Sequence, residues 1–314
     1  MSKFLVTGGA GFIGSHIVRT LVNKGHFVRV LDNFSSGKRE NLDSVIKKID
    51  LIKGDIRSKD VCLKATKGIS FVLHQAALSS VPKSLKKPGE YNEVNINGTL
   101  NMLEASLKNR VRRFIFASSS SIYGDIYKFP EREDFLSSPI SPYALTKLTG
   151  EYYCKIFSYH YGFPCVCLRY FNVFGPRQSL DDEYAVVVPK FITCILNNQP
   201  PPIYGSGKQS RDFTYVGNVV EANILATQKN NLKGEVFNIA GGRDYNILEL
   251  VKILNKILNK NIKPVFLPKR PGDVFKTEAD LSKAKRLLGF VPRINFIEGL
   301  KLTVHHFKEG EPDG

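Results

Sequence analysis

No apolar stretch in this 314-residue chain approaches the ~20 consecutive residues that span a bilayer. The opening MSKFLVTGG also lacks the charged-then-apolar build of a secretory signal, so a cytoplasmic location is expected. Cysteine is sparse and unpatterned. The five cysteines (Cys62, Cys154, Cys165, Cys167 and Cys194) are odd in number and contain no C-x-x-C, which points away from a disulfide framework and from a metal site. Cys165 and Cys167, two apart, are expected to share one face of a strand. Acidic residues are outnumbered: 29 Asp and Glu against 45 Lys and Arg leave a formal charge of +16. No block of five or six like charges and no aromatic-interleaved basic run accompanies that excess. It therefore reads as a solvated basic surface suited to anionic small molecules, and neither a nucleic-acid nor a membrane partner is expected. There is no internal repeat.

What is present is material for a large core, with 42% hydrophobic and 11% aromatic residues. The first half alternates short apolar runs with helical patterns, the signature of βαβ units. KFLVTG (3–8), FVRVLD (27–32), IDLIKGD (49–55), SFVLHQA (70–76), RRFIFASS (112–119) and PCVCLRYF (164–171) read as strands. Helices are expected at about 12–24, 90–109 and 142–161. The expected fold class is α/β, a Rossmann-type doubly wound parallel sheet. Beyond residue 172 the chain turns rich in Pro and Gly, as in FGPRQ and NNQPPPIYGSGKQS. A helix near 216–230 and a strand from 235 return to the sheet. Residues 1–172 with about 213–241 are thus expected to form the sheet domain. About 173–212 with 242–314, including the amphipathic stretch 246–258, are expected to form a smaller C-terminal α/β lobe. The site is expected in the cleft between them, and EGEPDG at the C-terminus reads as a frayed tail.

The first strand runs into TGGAGFIGS, which places Gly8, Gly11 and Gly14 three residues apart before a helix. Such glycines permit a tight turn, close approach to a pyrophosphate and close helix packing, while the helix start offers free N–H groups. Asp32 ends the second strand about 20 residues further on, where a carboxylate accepts from both ribose hydroxyls of NAD and repels the extra phosphate of NADP. Lys38 and Arg39 follow closely and lie within reach of such a phosphate. Asp55 and Ile56, after the third strand, are placed to edge the adenine.

Tyr143 and Lys147 lie four apart in SPYALTK. Tyr-x-x-x-Lys arises about once by chance in a chain this rich in both, so position carries the case. Ser141 suits an N-cap and Pro142 a first helical residue, which puts both side chains on one face of the first turns. Upstream, RRFIFA runs off its C-terminal end into SSSSIYGD, on the side where doubly wound folds bind ligands. The set suits removal of a hydroxyl proton while hydride leaves the same carbon. Lowering a phenol by about three pKa units takes roughly 4 kcal/mol of phenolate stabilisation, for which Lys147 and a positive nicotinamide are both available.

With the glycine loop, the serine run, the Tyr/Lys pair, RYFNVFGP and KRPGD in order, the sequence resembles the extended short-chain dehydrogenase/reductase family, the NAD-dependent epimerases and dehydratases. Within it the chain looks most like the UDP-hexose 4-epimerases, which work through a transient 4-keto sugar with no net redox change. The resemblance implies Tyr143 as base, Lys147 as its tuner and ribose ligand, and Ser119 as the hydroxyl nearest the sugar, assisted by Ser120 and Ser121. It implies an NAD site that also draws on Phe12, Ile13, Asn33, Gln75, Ala76, Ala77 and Asn95. It implies Asn172 as a substrate contact, Arg211 and Arg270 on the diphosphate, and Asp273 on the nucleotide ribose. Sister dehydratases carry an Asp-Glu pair, and decarboxylases a Glu, at the serine run, where this chain has SSSS. HQAALSSVPKSLKKP around Ser79 is similar to epimerases of N-acetylated hexoses. Thr277 stands where hexose-restricted members carry tyrosine. UDP-N-acetylglucosamine and UDP-N-acetylgalactosamine are the implied substrates, with UDP-glucose and UDP-galactose as further candidates. A homodimer through helices 90–109 and 142–161 is implied as well; whether Tyr152, Tyr153, Phe157 and Tyr161 serve core or interface stays open.

Overall fold

A computed structural model of the protein describes residues 1–180, 187–230, 232–269 and 274–309. Seven apolar runs pair in parallel: β1 (Lys3–Thr7), β2 (Phe27–Asp32), β3 (Asp50–Lys53), β4 (Phe71–His74), β5 (Arg113–Ser119), β6 (Cys165–Tyr170) and β7 (Glu235–Ile239). Their order, β7-β6-β5-β4-β1-β2-β3, reverses at β1, the switch point at which open α/β sheets bind ligands.

Side-chain alternation sorts the strands onto two cores. Val6, Val30, Ile115, Val166 and Leu168 pack with α1 (Phe12–Asn23) on one face. Leu5, Leu31, Phe114, Phe116, Cys165 and Cys167 pack on the other against α2 (Lys59–Thr66), α3 (Gly98–Lys108) and α4 (Pro142–His160). The two β6 cysteines do share a face, and there they meet Cys154 of α4. Further along the chain come α5 (Val187–Leu196), α6 (Val216–Gln228), α7 (Ile247–Leu258) and α8 (Phe296–Glu309). Of these, α6 joins α1 on the first face. The other three gather a third core around Phe174, Phe213 and Phe296, beside short strand pairs such as Ser210–Asp212 with Asp244–Asn246.

The expected helix over 90–109 is not one continuous α-helix. Pro88–Tyr91 is α-helical, Asn92–Asn97 widens to π geometry, and α3 begins at Gly98. The wide turn carries Asn95, whose amide is drawn out of register to bond Leu78 and Thr146. On α4, Phe157 is buried and Tyr153 packs beside it, whereas Tyr152 and nearby Tyr161 are exposed. Among the described residues no helix is long and apolar enough to cross a membrane.

Candidate active site

The C-terminal ends of β1, β2, β4, β5 and β6 surround a cavity of about 290 Å³. Its phosphate side is the glycine turn. Gly8 adopts φ +65°, and a Cβ there would lie 2.8 Å from the backbone of Ala76. A Cβ on Gly14 would overlap the Gly8 carbonyl oxygen, so α1 starts directly against the turn. A Cβ on Gly11 would meet only that oxygen, at 3.2 Å, and otherwise enter the cavity. No side chain caps α1, and Phe12, Ile13 and Gly14 line the cavity at its start. That is a cradle for an anionic group.

Asp32 stands beside it. Its carboxylate accepts from Ala10 N at 2.9 Å and Phe34 N at 2.8 Å, which leaves each oxygen a further lone pair. Burial raises its pKa, partly offset by these two bonds. Asn33 donates to Asp55, and Arg57 grips Asp55 at 2.8 Å, holding that carboxyl down at about 2. Asp55 and Ile56 both line the cavity, and Arg57 does too. Lys38 and Arg39 do not; the backbone of Lys38 folds back to donate to Ala10 O. Ser35, Ser36, Gly37 and Arg57 were not anticipated, although the small-residue run SSG directly after Asp32 is a visible signal.

On the far wall, Gln75, Ala76 and Ala77 line the cavity, and Gln75 is oriented by Asn223 and Tyr170, each at 3.2 Å. Beneath them His74 lies between Thr7 at 2.7 Å and Thr99 at 3.0 Å, and burial keeps its imidazole neutral, with a pKa of about 3. Asn95 differs from its expected place. It is buried, is absent from the cavity wall, and spends its amide on Leu78 N at 2.8 Å and Thr146 at 3.0 Å. It shapes the 76–79 loop from behind. Ser79 is exposed on the cavity rim.

Ser141 caps α4 through Ala144 N at 3.1 Å, with Pro142 first in the helix. Tyr143 and Lys147 accordingly reach the cavity together. The Tyr143 side chain faces Ser119, and Ser119 meets Ser121 at 2.9 Å. Ser120 opens the short turn that follows β5. Lys147 Nζ donates to Ala117 O at 2.7 Å and lies 6.0 Å from the centre of the Tyr143 ring; burial lowers its pKa to about 8. Burial raises the pKa of Tyr143, with Ser119 opposing.

Glu151, one turn beyond Lys147 on the same face, was also not anticipated. It accepts from Ser118 Oγ at 2.5 Å and from Arg169 at 2.9 and 2.7 Å; Arg169 in turn donates to Tyr123 at 2.8 Å. Asn172, just after β6, donates to Thr277 at 2.9 Å, and Thr277 is buried, so it supports Asn172 from below. Arg211 is half-buried and donates to the carbonyls of Ser210 and Phe275. Arg270 and Asp273 lie outside the described residues.

Residues 4–240 match the NAD dependent epimerase/dehydratase family. The fold is similar to a UDP-N-acetylglucosamine 4-epimerase from Methanobrevibacter ruminantium M1, solved with UDP-N-acetylmuramic acid: 42% identity over 98% of both chains, TM-score 0.93. It is similar to a UDP-glucose 4-epimerase from Thermotoga maritima solved with UDP-glucose: 41% identity, 97% of this chain and 98% of that one, TM-score 0.92. A third is the Thermus thermophilus UDP-glucose 4-epimerase in complex with NAD, at 37% identity over 98% and 99% of the two chains, TM-score 0.90. The cofactor is NAD, and the glycine cradle with Asp32 fits it.

Proposed function

The chain belongs to the NAD-dependent epimerase/dehydratase family, and from that membership we propose that it interconverts the 4-epimers of a UDP-hexose. The observation that carries the proposal is Tyr143 together with Lys147 on the wall of the dinucleotide cavity, with Ser119 beside the Tyr143 side chain just off that wall. In this reading Tyr143 takes the proton from the sugar 4-hydroxyl with Ser119 as relay, and Ser120 and Ser121 hold the relay in place. Lys147 supplies a buried positive charge that favours the phenolate. NAD, held by the glycine cradle and Asp32, would supply the hydride acceptor and donor for carbon 4. The serine run offers no carboxylate to eliminate water or assist decarboxylation, which favours epimerisation over the sister chemistries.

UDP-N-acetylglucosamine and UDP-N-acetylgalactosamine are the proposed substrates, with UDP-glucose and UDP-galactose turned over as well. The small Thr277 under Asn172 supports the acetylated sugars. Arg211 and Arg270 are assigned to the diphosphate, Asp273 to the nucleotide ribose, and Ser79 to the sugar rim. The same proposal divides the chain into an NAD-binding part, 1–172 with about 213–241, and a nucleotide-sugar part, about 173–212 with 242–314. It places the enzyme in the cytoplasm as a homodimer. Incubating the purified protein with each UDP-sugar, without added reductant, and separating the epimers tests it. Equilibration of at least one pair is expected; no conversion of any would overturn the assignment.

A further inference from the structure

The hydroxyls of the serine run do not share the same freedom. Ser118 lines the cavity, yet its Oγ donates to Glu151 Oε1 at 2.5 Å. A proton committed in that way is not passed to a sugar. Ser119 and Ser121 meet each other instead, at 2.9 Å, and Ser121 N donates to Ser119 Oγ at 3.2 Å. Ser118 is therefore an anchor, and the relay begins one residue later.

The same turn ends at Tyr123, which is completely buried. Its hydroxyl accepts from Arg169 Nη1 at 2.8 Å and donates to Asn238 Oδ1, on β7, at 2.7 Å. Burial raises its pKa against the opposing Arg169, so this phenol stays protonated and holds both bonds. Arg169, on β6, also grips both carboxylate oxygens of Glu151, through Nε at 2.9 Å and Nη2 at 2.7 Å. One guanidinium thus holds Tyr123 directly and Ser118 through Glu151. Between these ends Ser138 N donates to Ile122 O at 2.9 Å. Glu151 belongs to α4, one turn past Lys147 and two past Tyr143, so the serine turn is referenced to the helix that carries the Tyr/Lys pair.

We propose that Arg169 is a positioning residue for turnover: it brackets the Ser118–Tyr123 turn and thereby sets Ser119 against Tyr143. What the turn does rests on the epimerase reading; how it is held does not. Replacing a buried ion pair with apolar residues is often neutral for stability, so what this pair adds is direction. The planar fork aims three nitrogens at once, at two carboxylate oxygens and a phenol, which the single ammonium of a lysine does not reproduce.

Steady-state kinetics and amide hydrogen exchange on three variants test the proposal. Arg169→Lys keeps the charge and loses the fork, while Tyr123→Phe and Ser118→Ala each release one end of the turn. Each is expected to lower kcat about 10- to 100-fold, with KM for the UDP-sugar within about twofold of wild type and bound NAD unchanged. Leu254→Ala, in the core beneath α7, sets the scale of plain destabilisation and should keep kcat within about twofold, at a temperature where every variant is folded. Without substrate, peptides covering residues 117–124 should exchange at least about tenfold faster in the three variants, and those covering α5 should not change. Unchanged exchange at the turn, acceleration spread equally over α5, or an equal kcat loss in Leu254→Ala overturns the proposal. A wild-type chain that equilibrates no UDP-sugar overturns the epimerase reading instead, and the exchange rates then still decide whether Arg169 holds the turn.

Discussion

The side-chain amide of Asn172 donates to the hydroxyl of Thr277 across 2.9 Å, joining positions 105 residues apart. Asn172 holds φ 35° and also reaches Asp212 O at 3.1 Å, so its direction depends on these two acceptors. A tyrosine in the buried space of Thr277 has to displace Asn172 toward the sugar. Thr277→Tyr is expected to lower kcat/KM for UDP-N-acetylglucosamine at least about tenfold more than for UDP-glucose. Thr277→Val, which loses only the acceptor at a cost of about 1 kcal/mol, should lower both a few-fold. Initial rates on the two sugars decide it. Equal losses with tyrosine would remove Thr277 from substrate choice.

Tyr143→Phe keeps the packing of α4 and removes the proton acceptor. Activity should fall about 10²- to 10⁴-fold while bound NAD and the melting temperature stay unchanged. In the wild type Lys147, with its pKa near 8, loses its charge as pH rises through that value. Support for the phenolate then goes, so a pH–rate profile should decline on the alkaline side of about 8. The decline should be missing from the residual rate of Lys147→Met.

Glu131 and Asp212 are nearly inaccessible carboxyls whose pKa values burial raises to about 8 and about 7, opposed by backbone N–H bonds. Asp212 adds to the cost of ionising Glu131, and Asp244 to that of Asp212. The folded state therefore keeps protons that the unfolded chain releases above about pH 4. Their contribution to stability is complete below that pH and is lost as pH climbs through 7 to 8. Melting temperatures should fall over that window. Glu131→Gln, which has no charge to acquire, should flatten the fall, and calorimetry at three pH values reads the difference.

Glu151 and Arg169 are both about 5% exposed and pair at 2.7 Å. Glu151→Leu leaves the guanidinium buried without its counterion and should cost about 3–5 kcal/mol in chemical denaturation. Glu151→Leu/Arg169→Met should recover most of that stability. Ser118 would still lack its acceptor, so turnover of the double variant should remain below wild type. Full recovery of activity would show that Glu151 does not position the β5 tip.

Leu145, Tyr152, Ile156 and Tyr159 are 45–83% exposed along one side of α4. An apolar stripe of that size suits a partner helix from a second copy. Ile156→Glu should shift the protein from dimer to monomer in light scattering. A wild-type monomer at micromolar concentration would refute the dimer.

Much of this molecule was legible in advance where the signal is local. Alternating and continuous apolar runs marked the strands within one or two residues, because a strand's two faces are written in its own sequence. The glycine spacing, Asp32, and the Ser141–Pro142 start that aligns Tyr143 with Lys147 are likewise short-range chemistry. The break of the 90–109 helix was not visible, since it depends on Asn95 finding Leu78 and Thr146.

The sequence by itself determined the sheet, the dinucleotide turn and the residues of the Tyr/Lys pair, all of which follow from neighbours a few positions apart. Only the tertiary structure decided that Thr277 supports Asn172 and that Arg57 joins the cofactor cavity. It likewise put Glu151 and Arg169 behind Ser118. Those outcomes rest on which distant segments the parallel topology brings together, and burial and charge act on the neighbours in space, whatever their separation along the chain.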